Sequence, residues 1–123
     1  MSFLTDRKRA NGLGSSKSGT AHHMQTMIGA TGLAVLVPLF VFVFGSAIGL
    51  SYEDALAHFA RPFNAIVTGL TFTVAMMHFR HGVQIMLEDY VHGHTRTYLI
   101  AGAACLSYTI IAVALFSLAR IAL

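Results

Sequence analysis

Three long apolar stretches, separated by short polar segments, dominate the pattern of the chain. They cover about residues 27–50, 63–87 and 98–118. A helix needs about 20 predominantly apolar residues to cross the hydrocarbon core of a bilayer, and each stretch is long enough. Because lipid offers the backbone no hydrogen-bond partners, apolar segments of this length form α-helices. The pattern therefore predicts an all-α membrane protein with three transmembrane helices.

The composition supports a membrane location and excludes several classes of function. The chain has 123 residues, of which 55% are hydrophobic and 11% charged, whereas soluble domains carry about 25% charged residues. It has no P-loop, GxGxxG or CxxC motif, and its single cysteine, Cys105, excludes an internal disulfide. These features argue against an independent active site and against nucleic-acid binding.

Positive charges concentrate on one side of the predicted topology. Residues 1–26 form a polar, basic arm, and residues 27–123 form the membrane domain. Cytoplasmic segments of membrane proteins are enriched in Lys and Arg, so the distribution predicts a cytoplasmic N-terminus. The Lys and Arg residues on that side are Arg7, Lys8, Arg9, Lys17, Arg80 and Arg96, and those on the other side are Arg61 and Arg120.

The first polar connection, residues 51–62, contains a short helix signal. Ser51 followed by Asp54 is typical of a helix N-cap, which predicts a surface helix over residues 52–60. His58 has no neighbouring ligand residue in the sequence, so we expect it at a solvated surface.

Small residues in the spans predict where helices approach closely. Gly29 and Gly32 lie in the first span, Gly69 lies in the second, and Gly45-x3-Gly49 is a GxxxG pattern. Glycine lets the backbones of membrane helices come near each other, so these positions indicate packing rather than chemistry.

The second span ends in a cluster of ionisable residues. It contains His78, Gly82, Asp89 and Tyr90. At about 100° per residue, His78 and Asp89 fall within about 20° of each other on a helix, about 16 Å apart along its axis. Gly82 lies one turn after His78 and leaves room there for a bulky group. Ionisable groups at this depth are costly in lipid, so they indicate function.

The spacing His-x3-Gly-x6-Asp-Tyr resembles that of the D-type hydrophobic membrane anchor subunit of succinate dehydrogenase, respiratory complex II. The resemblance implies that His78 is an axial ligand of haem b iron and that Gly82 packs against the haem. It also implies that Asp89 and Tyr90 lie at the ubiquinone site, with Asp89 as a proton relay. The spacing to Gly82 selects His78 over His81 as the ligand.

Other polar residues near the cluster have less specific interpretations. Arg80 points about 200° away from His78. It can extend to the membrane surface or pair with an anionic group such as a haem propionate, and we favour the surface. His92 and His94 offer two metal ligands without a third, which makes a poor metal site, so we expect a solvated loop over residues 88–97.

The resemblance also implies partners for the chain, which would not be catalytic alone. One His cannot supply both axial ligands, so a second membrane anchor subunit, of cytochrome b type, would share the haem within a larger helical bundle. An iron–sulfur subunit and a flavoprotein subunit would carry the iron–sulfur clusters and FAD. The complex would pass electrons from succinate to ubiquinone at the bacterial cytoplasmic (inner) membrane, in which this chain would be a multi-pass component.

Two alternatives remain open at this point. The first is a haem-free membrane scaffold or assembly protein, in which His78 is only a buried polar contact between helices. The second is the cytochrome b-type anchor of a fumarate reductase.

Overall fold

Five helices make up the described part of the chain. The computed structural model describes residues 4–12, 14 and 19–123, apart from the side chain of His22; Lys17 of the basic arm lies outside this range. Three of the helices are long and apolar enough to cross a membrane, which confirms the predicted three-span architecture. The helices are α1 (Asp6–Asn11), α2 (Gly19–Gly45), α3 (Tyr52–Ala60), α4 (Pro62–Tyr90) and α5 (Gly93–Ala122).

The helix boundaries differ from the predicted apolar stretches at three places. Helix α2 begins inside the predicted arm, and residues 46–50, expected in the first span, form a turn. Gly49 has a φ of 86°, a conformation that a helix does not allow and that glycine adopts at little cost. The second connection is also shorter than expected, because only Val91 and His92 separate α4 from α5.

The short helix α3 forms where its capping residues predict. The Ser51 hydroxyl accepts a hydrogen bond from the Asp54 backbone N–H at 3.2 Å. It also donates a hydrogen bond to the Asp54 carboxylate at 2.7 Å. These bonds satisfy a backbone donor at the helix start that has no intrahelical partner. Pro62 then begins α4, where a missing N–H carries no cost.

His58 corrects the expectation of a solvated residue without contacts. Its Nε2 atom lies 3.0 Å from the Val43 carbonyl oxygen and 3.1 Å from Nδ2 of Asn64. The same Asn64 nitrogen donates to the His58 carbonyl at 2.9 Å. His58 therefore joins the end of α2 to the start of α4, and the sequence could not show this because the three residues lie in different helices.

Helix α4 is the centre of the fold. It packs against α2, α3 and α5, whereas no Cα atom of α2 lies within 8 Å of a Cα atom of α5 among the described residues. In its most apolar window 28% of the residues are buried, against 6% for α2 and for α5. Most of the apolar surface of the outer helices therefore faces outwards, where a bilayer or another subunit would cover it.

Three of the five predicted glycine contacts are present. A Cβ added at Gly29 would lie 3.2 Å from His78, one at Gly32 would lie 3.7 Å from Val74, and one at Gly69 would lie 3.3 Å from Leu115. The first two contacts join α2 to α4 and the third joins α4 to α5.

These contacts also give the direction of the chain. The beginning of α2 meets the second half of α4, and the beginning of α4 meets the end of α5, so the three spans run up, down and up.

The GxxxG interpretation of Gly45 and Gly49 is wrong. No atom of the described residues lies within 4 Å of a Cβ added at either glycine. Gly45 is the last residue of α2, and Gly49 follows in the turn. The two glycines end the helix instead of forming a packing face on it.

Candidate functional site

Helix α4 carries the predicted site residues without interruption. It is continuous from Pro62 to Tyr90, so the helical register connects His78 to the residues that follow it. On this helix Gly82 is about 40° and Asp89 about 20° from His78. The premise that these three residues share one face therefore agrees with the observed helix.

The His78 side chain is half-buried against α2. Its Nδ1 atom is buried and has no hydrogen-bond partner among the described residues. Gly29 provides the space for the ring, because a Cβ there would lie only 3.2 Å from Nδ1. A buried ring nitrogen without a partner is costly in protein and more so in lipid. Because Nδ1 is enclosed against Gly29, a partner from outside the described chain would meet the other ring nitrogen, Nε2.

A largely apolar groove of about 590 Å³, with several polar side chains in its lining, runs between α2 and α4 beside His78. Pockets for small molecules and cofactors usually measure about 300–1,000 Å³. Lipid tails cannot hydrogen-bond the groups in this groove, so it suits an occupant that is largely apolar but carries a few polar groups. The polar side chains that line the groove are Gln25, Thr73, His78, Arg80, His81 and Gln84.

Gly82 lies outside this groove and next to open space. Nothing lies within 4 Å of a Cβ added there, and the residue is exposed. The space predicted beside Gly82 is therefore present, but it is separate from the groove, whose lining includes His78 and not Gly82. Gly29, rather than Gly82, is the glycine that contacts the imidazole.

Asp89 and Tyr90 lie at the exposed end of α4. The Tyr90 side chain is 80% exposed, and Asp89 is exposed as well. Within residues 19–123, neither side chain has a hydrogen-bond partner, and neither lines the groove beside His78. This chain therefore presents an acid and a phenol at one membrane boundary but does not enclose a ligand around them.

Arg80 is held by a residue that the sequence did not connect to it. Its Nη1 atom donates a 2.6 Å hydrogen bond to the Tyr108 hydroxyl on α5, and its guanidinium carbon lies 5.3 Å from the centre of the Tyr108 ring. The favoured expectation, an arginine that extends to the membrane surface, did not include this contact between helices. Each residue is polar within an apolar helix, and this shared need for a partner is the signal that would have paired them.

His81 also lines the groove, with a defined contact of its own. Its Nδ1 atom lies 2.7 Å from the Met77 carbonyl oxygen one turn earlier. The exposed His92 and His94 stay apart from the groove. No group of three or more His, Cys, Asp or Glu side chains in the described ranges is placed to hold a metal ion.

Comparison with known proteins identifies the family. Residues 2–116 match the family described as succinate dehydrogenase/fumarate reductase transmembrane subunit. The chain is also 46% identical, over 123 residues, to the succinate dehydrogenase hydrophobic membrane anchor subunit of Paracoccus denitrificans. That alignment covers 100% of this chain and 95% of the relative.

The chain belongs to the succinate dehydrogenase/fumarate reductase transmembrane subunit family. No solved structure matches it. The resemblance found from the spacing of His78, Gly82, Asp89 and Tyr90 is thus confirmed over the whole chain. The protein is a transmembrane anchor subunit that is integral to a membrane.

The groove of this anchor subunit has the chemistry that a haem would need. His78 offers a buried ring nitrogen without a partner, and the aliphatic walls at Ile28 and Val74 suit the faces of a macrocycle. Arg80 and Gln84 add hydrogen-bond donors for anionic groups at its edge. One side of the groove is open, so the anchor subunit provides only part of the enclosure.

Proposed function

We propose that this chain is the membrane anchor subunit of a succinate:ubiquinone oxidoreductase. In this proposal His78 provides one axial ligand to the iron of a haem b, and Asp89 and Tyr90 form part of the ubiquinone-reduction site. The observation that carries the haem assignment is the buried Nδ1 atom of His78, which has no partner in the described chain and lies beside a groove.

The chemistry of histidine supports this role for His78. Imidazole is a common ligand of haem iron, and a haem with two such ligands transfers single electrons. His78 would bind the iron through one ring nitrogen, and the Gly29 backbone would hold the ring in place. A rotation of the ring by 180° exchanges Nδ1 with a carbon, so either nitrogen can be directed into the groove.

The second iron ligand would come from a second membrane subunit. His81, the other histidine that lines the groove, directs its Nδ1 atom towards a carbonyl oxygen of its own helix. The outward-facing apolar surface of α2 and α5 leaves ample area for another subunit. We therefore propose a larger helical bundle in which a cytochrome b-type anchor subunit shares the haem.

Asp89 and Tyr90 would act on ubiquinone at the end of α4. The exposed Tyr90 hydroxyl would donate a hydrogen bond to a quinone carbonyl oxygen, which becomes more basic as the ring is reduced. The Asp89 carboxylate would pass protons from water to the same site. Because both side chains are exposed, the rest of the pocket would belong to neighbouring subunits.

The peripheral partners follow from the same proposal. A flavoprotein subunit with FAD would oxidise succinate, and an iron–sulfur subunit would deliver the electrons to the quinone. The distribution of Lys and Arg supports a cytoplasmic N-terminus. With the N-terminus on that side, Tyr90 would also lie at the cytoplasmic face of a bacterial inner membrane, where soluble subunits would dock.

An absorption spectrum of the purified complex tests the haem ligand. We expect the reduced b-type band to disappear in His78→Ala and to persist in His81→Ala, a matched control three residues away in the same groove. Subunit content, measured on the same samples, shows whether each variant assembles. A band that persists in His78→Ala contradicts the assignment, and a band lost only in His81→Ala transfers it to His81.

Quinone reduction tests the role of Tyr90. Loss of one hydrogen bond to a polar group costs about 1–2 kcal/mol, so Tyr90→Phe should lower quinone reduction about tenfold. Succinate oxidation by an artificial acceptor that does not use the quinone site should stay at the wild-type rate. Equal loss of both activities would indicate an assembly defect and contradict a direct role for Tyr90.

The same experiments separate the alternatives. In a haem-free scaffold His78 would serve as a polar helix contact, yet no hydrogen bond joins it to any described residue, which favours a ligand role. A fumarate reductase anchor would show the haem band but a preference for fumarate reduction when the complex is given a reduced quinone.

A further inference from the structure

Arg80 is a charged residue within a membrane span that has no acidic partner in the described chain. The single ion pair within residues 4–12, 14 and 19–123 joins Arg9 to Asp6. Of the other acidic residues, Glu53 and Asp54 lie on α3, Glu88 accepts a hydrogen bond from Gln84 at 2.9 Å, and Asp89 is exposed at the end of α4. Arginine stays protonated in proteins, and an uncompensated charge at this depth is costly. The structure therefore needs an anion beside Arg80 from outside the chain.

Tyr108 holds the guanidinium group of Arg80 in position and so determines where its remaining N–H donors point. Its hydroxyl accepts from one terminal nitrogen at 2.6 Å, and its ring supports the guanidinium plane at 5.3 Å. The Nε atom of Arg80 is buried without a hydrogen-bond partner. A guanidinium can bind a carboxylate through two parallel hydrogen bonds, and Arg80 retains donors for such a pair.

Arg80 and His78 line the same groove. We infer that Arg80, held in position by Tyr108, binds a carboxylate at the edge of the ligand in this groove, which is a haem propionate. This inference rests on the proposed function, because it needs the haem on His78. A carboxylate from a partner subunit is the competing source of the anion, and the test below separates the two.

A redox titration of the haem band in the complete purified complex provides the test. Removing a positive charge near the haem stabilises its oxidised form, so Arg80→Gln should lower the midpoint potential. At a separation of about 10 Å and an effective dielectric constant of about 20, the change in the reduction equilibrium is about tenfold. For a one-electron couple, a tenfold change is about 59 mV.

Two further variants separate charge from packing. Tyr108→Phe keeps the Arg80 charge and most of the ring contact. We therefore expect the equilibrium constant for haem reduction in this variant to stay within about threefold of the wild-type value. Arg80→Lys also keeps the charge but loses the paired hydrogen bonds. It should keep the potential near that of the wild type and release haem at a lower temperature.

The possible results decide between the two sources of the anion. A wild-type potential in Arg80→Gln, with the haem band still dependent on His78, overturns the inference while leaving the proposed function intact. An unchanged potential together with release of the second membrane subunit at a lower temperature would assign the anion to that partner, and it would likewise overturn the inference. If Arg80→Gln does not assemble, haem retention in Arg80→Lys equal to that of the wild type overturns the inference.

Discussion

The contact between Gly29 and His78 allows a test in which one methyl group probes the candidate haem ligand. A Cβ at Gly29 would lie 3.2 Å from Nδ1 of His78, whereas a Cβ at Gly32, one turn later on α2, would lie 3.7 Å from Val74. The second distance is an ordinary van der Waals contact, and the first is half an ångström shorter. Gly29→Ala should therefore displace the imidazole, and Gly32→Ala should fit without displacement.

The two substitutions form a matched pair in energy. Each replaces glycine by alanine within α2, which favours the helix by about 1 kcal/mol. This gain cancels when the two variants are compared. Overpacking costs about 1–3 kcal/mol, and the lower end applies here because an imidazole can shift by a few tenths of an ångström. We expect Gly29→Ala to be less stable than Gly32→Ala by about 1 kcal/mol.

The assay is the retention of haem by the purified complex during heating, together with the position of its reduced absorption band. Gly29→Ala should release haem at a lower temperature than Gly32→Ala and shift the band, because a displaced ligand alters its bond to iron. Equal retention and identical spectra in both variants would refute the argument, since they would show that Gly29 does not restrain His78.

Three other substitutions test the packing and the connections through the thermal stability of the assembled complex. Gly69→Ala should be less stable than Gly102→Ala by about 1 kcal/mol, because the added Cβ at Gly69 would lie 3.3 Å from a leucine of α5 whereas the one at Gly102 meets open space. Equal stability of these two variants would contradict the close contact at Gly69. Ser51→Ala should cost about 1 kcal/mol by removing the cap that bonds Asp54, and no loss would show that α3 needs no cap. Gly93→Ala should lower the stability of the complex by about 1 kcal/mol, because the φ of Gly93 is 70°. Gly102→Ala, inside α5 with open space around it, should be neutral or stabilising. Similar effects at both glycines would contradict this explanation.

Local signals in the sequence predicted the elements well. The length of each apolar stretch was enough to predict three spans, because a chain in lipid must satisfy its own backbone hydrogen bonds. The Ser51 cap required only residues within one turn, and it formed as predicted. The end of α2 was predicted five residues too far along the chain, since apolar composition continues past Gly45 but a helix does not.

Contacts between helices were only partly predictable. Glycine identity indicated close approach at Gly29, Gly32 and Gly69, but not which residue each would meet. Neither α2 nor α4 has polar residues concentrated on one side over its whole length, so no polar stripe sets the rotation of each helix about its axis. The contact of His58 with Val43 depends on that rotation, and so could not be read from spacing.

The sequence by itself determined the class of protein, the number of spans, and the shared face of His78, Gly82 and Asp89, because each depends on composition or on the fixed geometry of one helix. Only the tertiary structure decided that Gly29 restrains His78, that Arg80 meets Tyr108, and that a groove opens between α2 and α4. Those features join residues from separate helices, whose relative rotation and depth are set by packing after each helix has formed.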